Sequence, residues 1–412
     1  MKKLDSYKLY IGTAFLFRFC WALMTTVSMV FMVTVAGLDP LQMVLVGTVL
    51  ELSTFLFEIP TGLVADVYSR RLSIIIGYIM VGLGYMLLGF FPRFDIILIS
   101  QVIWGIGFTF ISGANQAWIS DEIGEARANR SFIVASQYGK VGLLLGIPIC
   151  ILLAFIDMKV PIICGSLGLV GIGIFCMLFM AEKRFRPEPP ADRETWQQLA
   201  DTFGKGVGLV RANPVLWIII MIAVFEGMYS EGYDRLNAPF LIESFEFPVI
   251  NGLDTLIWWG VMSAGSTVLA FGALEIVRRY VDTSNYSQLV VVLTVCCGLL
   301  VCAMFAFVFA GNFYSALGAF FGIAMLRAVK GPLTTAWLNQ NLNSETRATV
   351  FSMQAQADAF GQIGGGPVVG LVGKIASVQV ALLVSTVALV PAVGLYRKAL
   401  GLKRPTVVES AD

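Results

Sequence analysis

The feature that most restricts how this chain can fold is a series of twelve apolar runs, near residues 9–36, 42–65, 72–91, 95–118, 132–156, 159–181, 214–242, 253–277, 287–310, 313–338, 347–373 and 377–397. About 20 apolar residues in a helix, at 1.5 Å per residue, cross the roughly 30 Å of a bilayer's hydrocarbon. Each run is long enough, and most connections are a few residues, so consecutive helices must turn back on one another. The chain is 57% hydrophobic and 13% charged, against about 25% charged in a soluble domain. An all-α polytopic membrane protein is expected. A net charge of +1 points to neither nucleic acid nor an acidic partner. The first run is too long for the apolar part of a signal peptide and lacks a cleavage pattern, so it reads as a retained helix.

Lys and Arg placement sets the orientation. With the amino terminus in the cytoplasm, twenty basic residues fall on inner segments, among them Lys2, Lys3, Lys8, Arg70, Arg71, Arg127, Arg130, Arg278, Arg279, Arg347, Arg397 and Lys398. Only Arg93, Lys159 and Lys374 fall on outer turns. Both termini are therefore expected inside. Trp217 and the Trp258-Trp259 pair lie at expected interfaces, where aromatic side chains anchor helices.

One connection is long. Glu182 to Asn213 contains Arg186-Pro187-Glu188-Pro189-Pro190 and reads as an extended cytoplasmic tether, with a surface-lying amphipathic helix between Trp196 and Arg211. It divides the chain into a six-helix bundle over 1–181, a linker over 182–213 and a second six-helix bundle with a short tail over 214–412. The halves repeat. An offset of 219 residues brings Ala117-Trp118 onto Ala336-Trp337, Phe132 onto Phe351, Gln137 onto Gln356, Gly142 onto Gly361, Gly146 onto Gly365 and Pro148 onto Pro367. An offset of 209 brings Asp66 onto Glu275 and Arg70 onto Arg279.

Between the second and third runs lies Gly62-x-x-x-Asp66-x-x-x-Arg70-Arg71. Gly62 is small enough for two helix backbones to approach, and Asp66 follows four residues later on the same face. This stretch resembles the signature loop of the major facilitator superfamily of secondary transporters. Val67 stands where a basic residue is frequent and Ser69 where glycine is. Asn115-Gln116-Ala117-Trp118 and Glu345-Thr346-Arg347-Ala348-Thr349 are also similar to family usage, and the resemblance covers nearly the whole chain. It implies twelve transmembrane helices in two parallel-repeated halves working by alternating access. It implies a conformational latch of Gly62, Asp66, Arg70, Arg71, Asp121 and Arg347, with Arg70 reaching Asp121 and Asp66 accepting from the inner end of helix eleven near Arg347. Gly142-x-x-x-Gly146-Ile147-Pro148 resembles the Gly-Pro motif of the superfamily's antiporters, with an isoleucine interposed; Gly364-Gly365-Gly366-Pro367 is the cleaner version. Bending is expected at Pro148, Gly365, Gly366 and Pro367. Exporters often carry an arginine four residues before a glycine in helix four; here Gln101 precedes Gly105.

Charges at bilayer depth cost several kcal/mol unless paired or wetted, so each marks a candidate site. Counting from the helix ends places Arg18, Glu51, Glu58, Lys140, Glu226, Arg327, Lys330 and Asp358 there. The resemblance implies a central cavity lined by helices one, four, seven and ten. The substrate-cavity candidates are thus Arg18, Gln101, Glu226, Tyr229, Tyr233, Arg327, Lys330 and Thr334. Glu231 and Arg235 lie four apart nearer the outer mouth, with Asp234, and read as solvated. The chain has no histidine, so proton exchange near neutral pH falls to carboxylates: Glu226 first, then Glu51 and Asp358.

The seven cysteines fall inside apolar runs with neither metal-ligand nor disulfide spacing, and no phosphate loop or nucleophile turn occurs, so no metal, cofactor or enzyme chemistry is expected. The expectation is a monomeric multi-pass transporter in a bacterial-type cell membrane, with a small molecule, protons and lipids as its partners. Its first reading is proton-coupled efflux of amphipathic organic compounds. Two alternatives stand: uptake of a small polar or anionic solute, which Arg18, Arg327 and Lys330 suit, and a membrane protein that does not transport, such as a lipid scramblase or a sensor.

Overall fold

In the computed structural model, the described residues are 3–186, 213–249, 256–342 and 344–402, with isolated positions between 204 and 211. They form helices α1 (Ser6–Thr34), α2 (Pro40–Val67), α3 (Arg70–Phe90), α4 (Phe94–Ile111), α5 (Ala114–Ile123), α6 (Glu125–Ala154) and α7 (Lys159–Phe179). After the linker come α8 (Pro214–Ser244), α9 (Leu256–Tyr280), α10 (Tyr286–Val308), α11 (Phe313–Asn339), α12 (Ser344–Ile375) and α13 (Val378–Leu400). With α4 and α5 taken as one segment, eleven of these are long and apolar enough to cross a membrane. The twelfth, α12, has the length at 32 residues but carries Gln354, Gln356, Asp358 and Gln362. The amphipathic helix expected over 196–211 lies largely outside the described residues.

Helix ends follow local chemistry. Asp39 and Gln42 form a reciprocal capping box ahead of α2, and Asn312 and Ser315 form another ahead of α11. Each satisfies backbone donors that the first turn leaves unpaired. Gly113 and Gly124 take φ of +74° and +82°. That left-handed conformation is open to glycine at no steric cost, and it breaks the fourth span into α4 and α5 and then starts α6.

The chain divides into two compact units, Met1–Arg193 with Pro248–Ala264, and Glu194–Phe247 with Gly265–Asp412. The same pairings recur in each. In the first, α1 packs on α6 and α7, and α3 packs on α4 and α7. In the second, α8 packs on α12 and α13, and α10 packs on α11 and α13. The glycines show the repeat at atomic scale. A Cβ on Gly142 would strike the Phe15 carbonyl, and one on Gly361 would strike the Val224 carbonyl. Gly146 abuts Phe19 in the same way and Gly365 abuts Met228. The offset of 209 residues carries Phe15 onto Val224 and Phe19 onto Met228. Trp118 and Trp337, another repeated pair, are 1% and 0% exposed.

Helices α6 and α12 continue through Pro148 and Pro367, and Gly142, Gly146, Gly361 and Gly365 abut a facing helix there. Two expectations change here. Among the described residues, nothing lies within 4 Å of a Cβ built on Gly62. Trp217 is 43% exposed, as an interfacial anchor is, but Trp258 and Trp259 are buried, and Trp258 donates to the Pro248 carbonyl at 2.7 Å.

Candidate functional site

In the second unit, a charged cluster joins α8 to α11. Glu226, Tyr229 and Tyr233 follow one another at helical spacing on α8, as Arg327, Lys330 and Thr334 do on α11. Lys330 Nζ lies 2.6 Å from Glu226 Oε1, and the side chains are 6% and 24% exposed. From α13, Tyr396 donates its hydroxyl to the same Oε1 at 3.2 Å, and the ammonium lies 5.7 Å from the centre of its ring. One turn away, both terminal nitrogens of Arg327 hold both oxygens of Asp234, at 2.5 and 2.7 Å. Such two-pronged pairs combine strength with fixed geometry. The Arg327 guanidinium also lies 5.8 Å from the Tyr229 ring and 5.7 Å from the Tyr233 ring. Both tyrosines are 4% exposed, and their faces serve Arg327. Thr334 is buried on the same side of α11.

The pair read as solvated is not. Glu231 and Arg235 are 3% and 9% exposed and meet at 3.1 Å. Asp234, grouped with them near the outer mouth, reaches across to Arg327 instead. The helix turns so that the i,i+4 pair points into the unit, where burial forces the two charges together. The cluster is thus three anions matched by three cations, an arrangement of ion pairs that leaves Glu226 no free charge. Asp358 on α12 differs: its carboxylate accepts from Gln362 Nε2 at 2.8 Å and meets no cation among the described residues.

In the first unit, Arg18 on α1 is exposed and has no hydrogen-bond or ion-pair partner among the described residues. Gln101 on α4 is 2% exposed; its Nε2 donates to Ser100 Oγ at 3.0 Å, and its Oε1 has no donor. Glu51 and Lys140 are partly buried, and Glu58 is exposed.

The turn between α2 and α3 of this unit carries the Gly62-x-x-x-Asp66-x-x-x-Arg70-Arg71 stretch. Arg70 pairs with Asp121 on α5, donates to the Ala117 carbonyl at 3.0 Å and lies 3.8 Å from Asp66. Its guanidinium is 5.8 Å from the Phe185 ring. The second unit repeats the motif more simply, with Glu275 held by Arg279 at 2.6 Å and by Arg278 at 2.7 Å on an exposed turn. Arg71 is more than a topological charge: its side chain donates to the Met177 carbonyl at 2.5 Å. Asp66 is 51% exposed and Arg347 is exposed.

Glu182, read as the start of a free tether, is docked. It accepts from Ser69 Oγ at 2.5 Å and from the Arg71 amide at 2.9 Å, the first turn of α3. Beside it, Glu122 accepts from the amides of Lys183 and Arg184 at 2.6 and 3.1 Å, and Trp118 donates to the Ala181 carbonyl at 2.7 Å. Residues 182–185 are thus held against the first unit.

The sequence profile of the Major Facilitator Superfamily matches residues 9–366 of the 412. The chain belongs to the major facilitator superfamily. It is a multi-pass membrane transporter and not an enzyme. A curated relative, the "uncharacterized MFS-type transporter YxaM" of Bacillus subtilis (strain 168), is 31% identical over 99 residues, which are 24% of this chain and 25% of the relative. The aligned part thus spans about a quarter of that relative's length. Among solved structures, the nucleoside transporter NupG matches with a TM-score of 0.77 at 14% identity, covering 97% of this chain and 100% of that one. A bacterial homologue of the human lysosomal transporter Spinster, inward-facing and occupied, gives 0.72 at 14%, covering 96% and 97%. A POT family transporter in complex with 5-aminolevulinic acid gives 0.70 at 11%, covering 95% and 96%. At these identities the likeness extends to the fold.

Proposed function

We propose that this transporter exports amphipathic organic compounds across the cell membrane in exchange for protons, by alternating access, with both termini in the cytoplasm. The observation that carries the proton half is the contrast between Asp358 and Glu226. A proton carrier needs a carboxylate that can be neutral in one state and ionised in another. Lys330 lies 2.6 Å from Glu226, which makes that carboxylate a structural partner. Asp358 has a single neutral donor and lies against α8, where the Gly227 Cβ position meets its carbonyl. Asp358 is therefore assigned the proton, and Glu226 the upkeep of the cluster.

The test is flux in proteoliposomes. Asp358→Asn is expected to abolish flux driven by a pH gradient while sparing exchange of substrate for substrate. Glu226→Gln is expected to impair both by destabilising the unit. Gradient-driven flux that survives Asp358→Asn and vanishes selectively in Glu226→Gln or Glu51→Gln would move the proton site.

One observation favours a second reading, uptake of a small anionic solute: Arg18 is an exposed cation at depth without a counter-ion among the described residues. Movement of substrate down the same pH gradient as the protons would establish it.

The inner-face cluster is assigned the latch. The Arg70 pairing with Asp121 supports it, because it ties the end of α2 and the start of α3 to α5. Asp66→Asn is expected to slow transport more than it weakens substrate binding; equal losses would count against a latch.

A further inference from the structure

In the first unit, four aromatic rings from three helices meet beside α4. Trp21 stacks with Phe17 along α1 at 5.7 Å and lies 5.6 Å from Trp104 of α4 and 6.1 Å from Tyr85 of α3. Tyr85 and Trp104 approach to 4.9 Å. Gly84 lets this happen: its Cβ position lies 3.1 Å from the Trp104 amide, so α3 and α4 touch backbone to backbone there. Tyr85 is buried, while Phe17, Trp21 and Trp104 keep part of their surface exposed.

Packing alone does not account for the polar atoms. Trp104 Nε1 is buried and has no acceptor, and Gln101 Oε1, three residues earlier on α4, is buried and has no donor. A buried indole N–H ordinarily finds a partner, and leaving a donor and an acceptor unpaired within one turn costs stability with no structural return. On the same helix as Phe17 and Trp21, Arg18 stands three residues before Trp21; it is exposed, packs its stem against the Gly139 position of α6, and has no hydrogen-bond or ion-pair partner among the described residues. Two donors, one acceptor and partly open ring faces are the complement of one ligand chemistry.

We propose that Phe17, Trp21 and Trp104, with Arg18 and Gln101, form a subsite for a planar aromatic carboxylate. The ring packs on the indole faces, the carboxylate takes the Arg18 guanidinium and the Trp104 N–H, and a ring hydroxyl or amine meets Gln101 Oε1. This names a substrate class for the transport reading above and rests on it. The binding is nonetheless measured without flux, so the two fail separately.

The experiment is equilibrium binding of radiolabelled benzoate to the full chain in lipid nanodiscs, with empty nanodiscs subtracted. Saturable binding is expected, with salicylate competing at least as well as benzoate and cyclohexanecarboxylate, which has the charge without the ring, at least tenfold less well. Arg18→Gln and Trp104→Phe, the latter losing only the N–H face of the site, are each expected to weaken benzoate binding about tenfold. Arg18→Lys should restore part of the loss. Absence of saturable binding, cyclohexanecarboxylate competing within about twofold of benzoate, or unchanged binding in both variants while they remain monodisperse would overturn the subsite. Any of those results alongside measurable flux of other compounds would leave the transport reading standing.

Discussion

Replacing Lys330 with methionine isolates the energetics of the charged cluster. Methionine keeps much of the lysine's length and volume but leaves Glu226 with the Tyr396 hydroxyl as its one described donor. Removing one partner of a buried pair costs about 3–5 kcal/mol, because the remaining charge is stranded in a medium that cannot solvate it. Lys330 is 6% exposed but Glu226 is 24% exposed, so some solvent relief remains and the low end applies, about 3 kcal/mol. A body of 150–250 residues shifts its midpoint by about 2–4 °C per kcal/mol, so Lys330→Met should lower the apparent unfolding temperature by about 6–12 °C. Adding Glu226→Gln removes the stranded charge and preserves an acceptor for Tyr396. The double variant should recover most of the loss, with a coupling energy above about 2 kcal/mol. Thermal unfolding of the two single variants and the double variant in one detergent measures this cycle. Additive destabilisation, or a Lys330→Met protein within about 1 °C of the parent, would refute the reading of Glu226 as an ion-pair partner and return it to the list of proton carriers.

Three further outcomes follow from the helix packing and the contacts around Arg70 and Glu182. Glu182→Gln should weaken the anchor at the first turn of α3 by about 1–2 kcal/mol, read as faster hydrogen exchange at the amides of residues 71–73; unchanged exchange would mean the contact holds nothing. Gly361→Leu should prevent accumulation of folded protein, because the Val224 carbonyl occupies the space of the new side chain, whereas Gly62→Ala should fold normally; comparable yields of the two would contradict the packing argument. Arg70→Ala should raise protease sensitivity near residues 117–123, since Arg70 holds both the Ala117 carbonyl and Asp121.

Much of the fold is legible in the sequence because hydrocarbon leaves few choices. Length and apolarity alone fix the helices, and a glycine that contacts a facing backbone in both halves, as Gly142 and Gly361 do, leaves a repeat that an offset can detect. What sequence spacing cannot supply is the partner across a helix gap. Glu226 and Lys330 were both legible as charges at depth, yet nothing in the order of residues pairs them, or brings Tyr396 from the last helix to the same oxygen. The rotation of α8 is equally hidden, and that is why Glu231 and Arg235 read as solvated when they are buried. Glu182 reads as a linker charge because its role as an acceptor depends on backbone amides, which carry no sequence signal. The aromatic group around Trp104 escaped for a related reason: single aromatic residues on three separate helices look like ordinary core.

The central claim is that this chain couples protons to the movement of an organic solute. The most direct test loads purified protein into liposomes with an imposed pH gradient and follows internal pH and labelled solute together, across a panel that includes benzoate. The account predicts solute moving against the proton flow, with proton movement that starts only when a solute is added and is absent in Asp358→Asn. Solute flux that is indifferent to the gradient, with no change in internal pH, would contradict it.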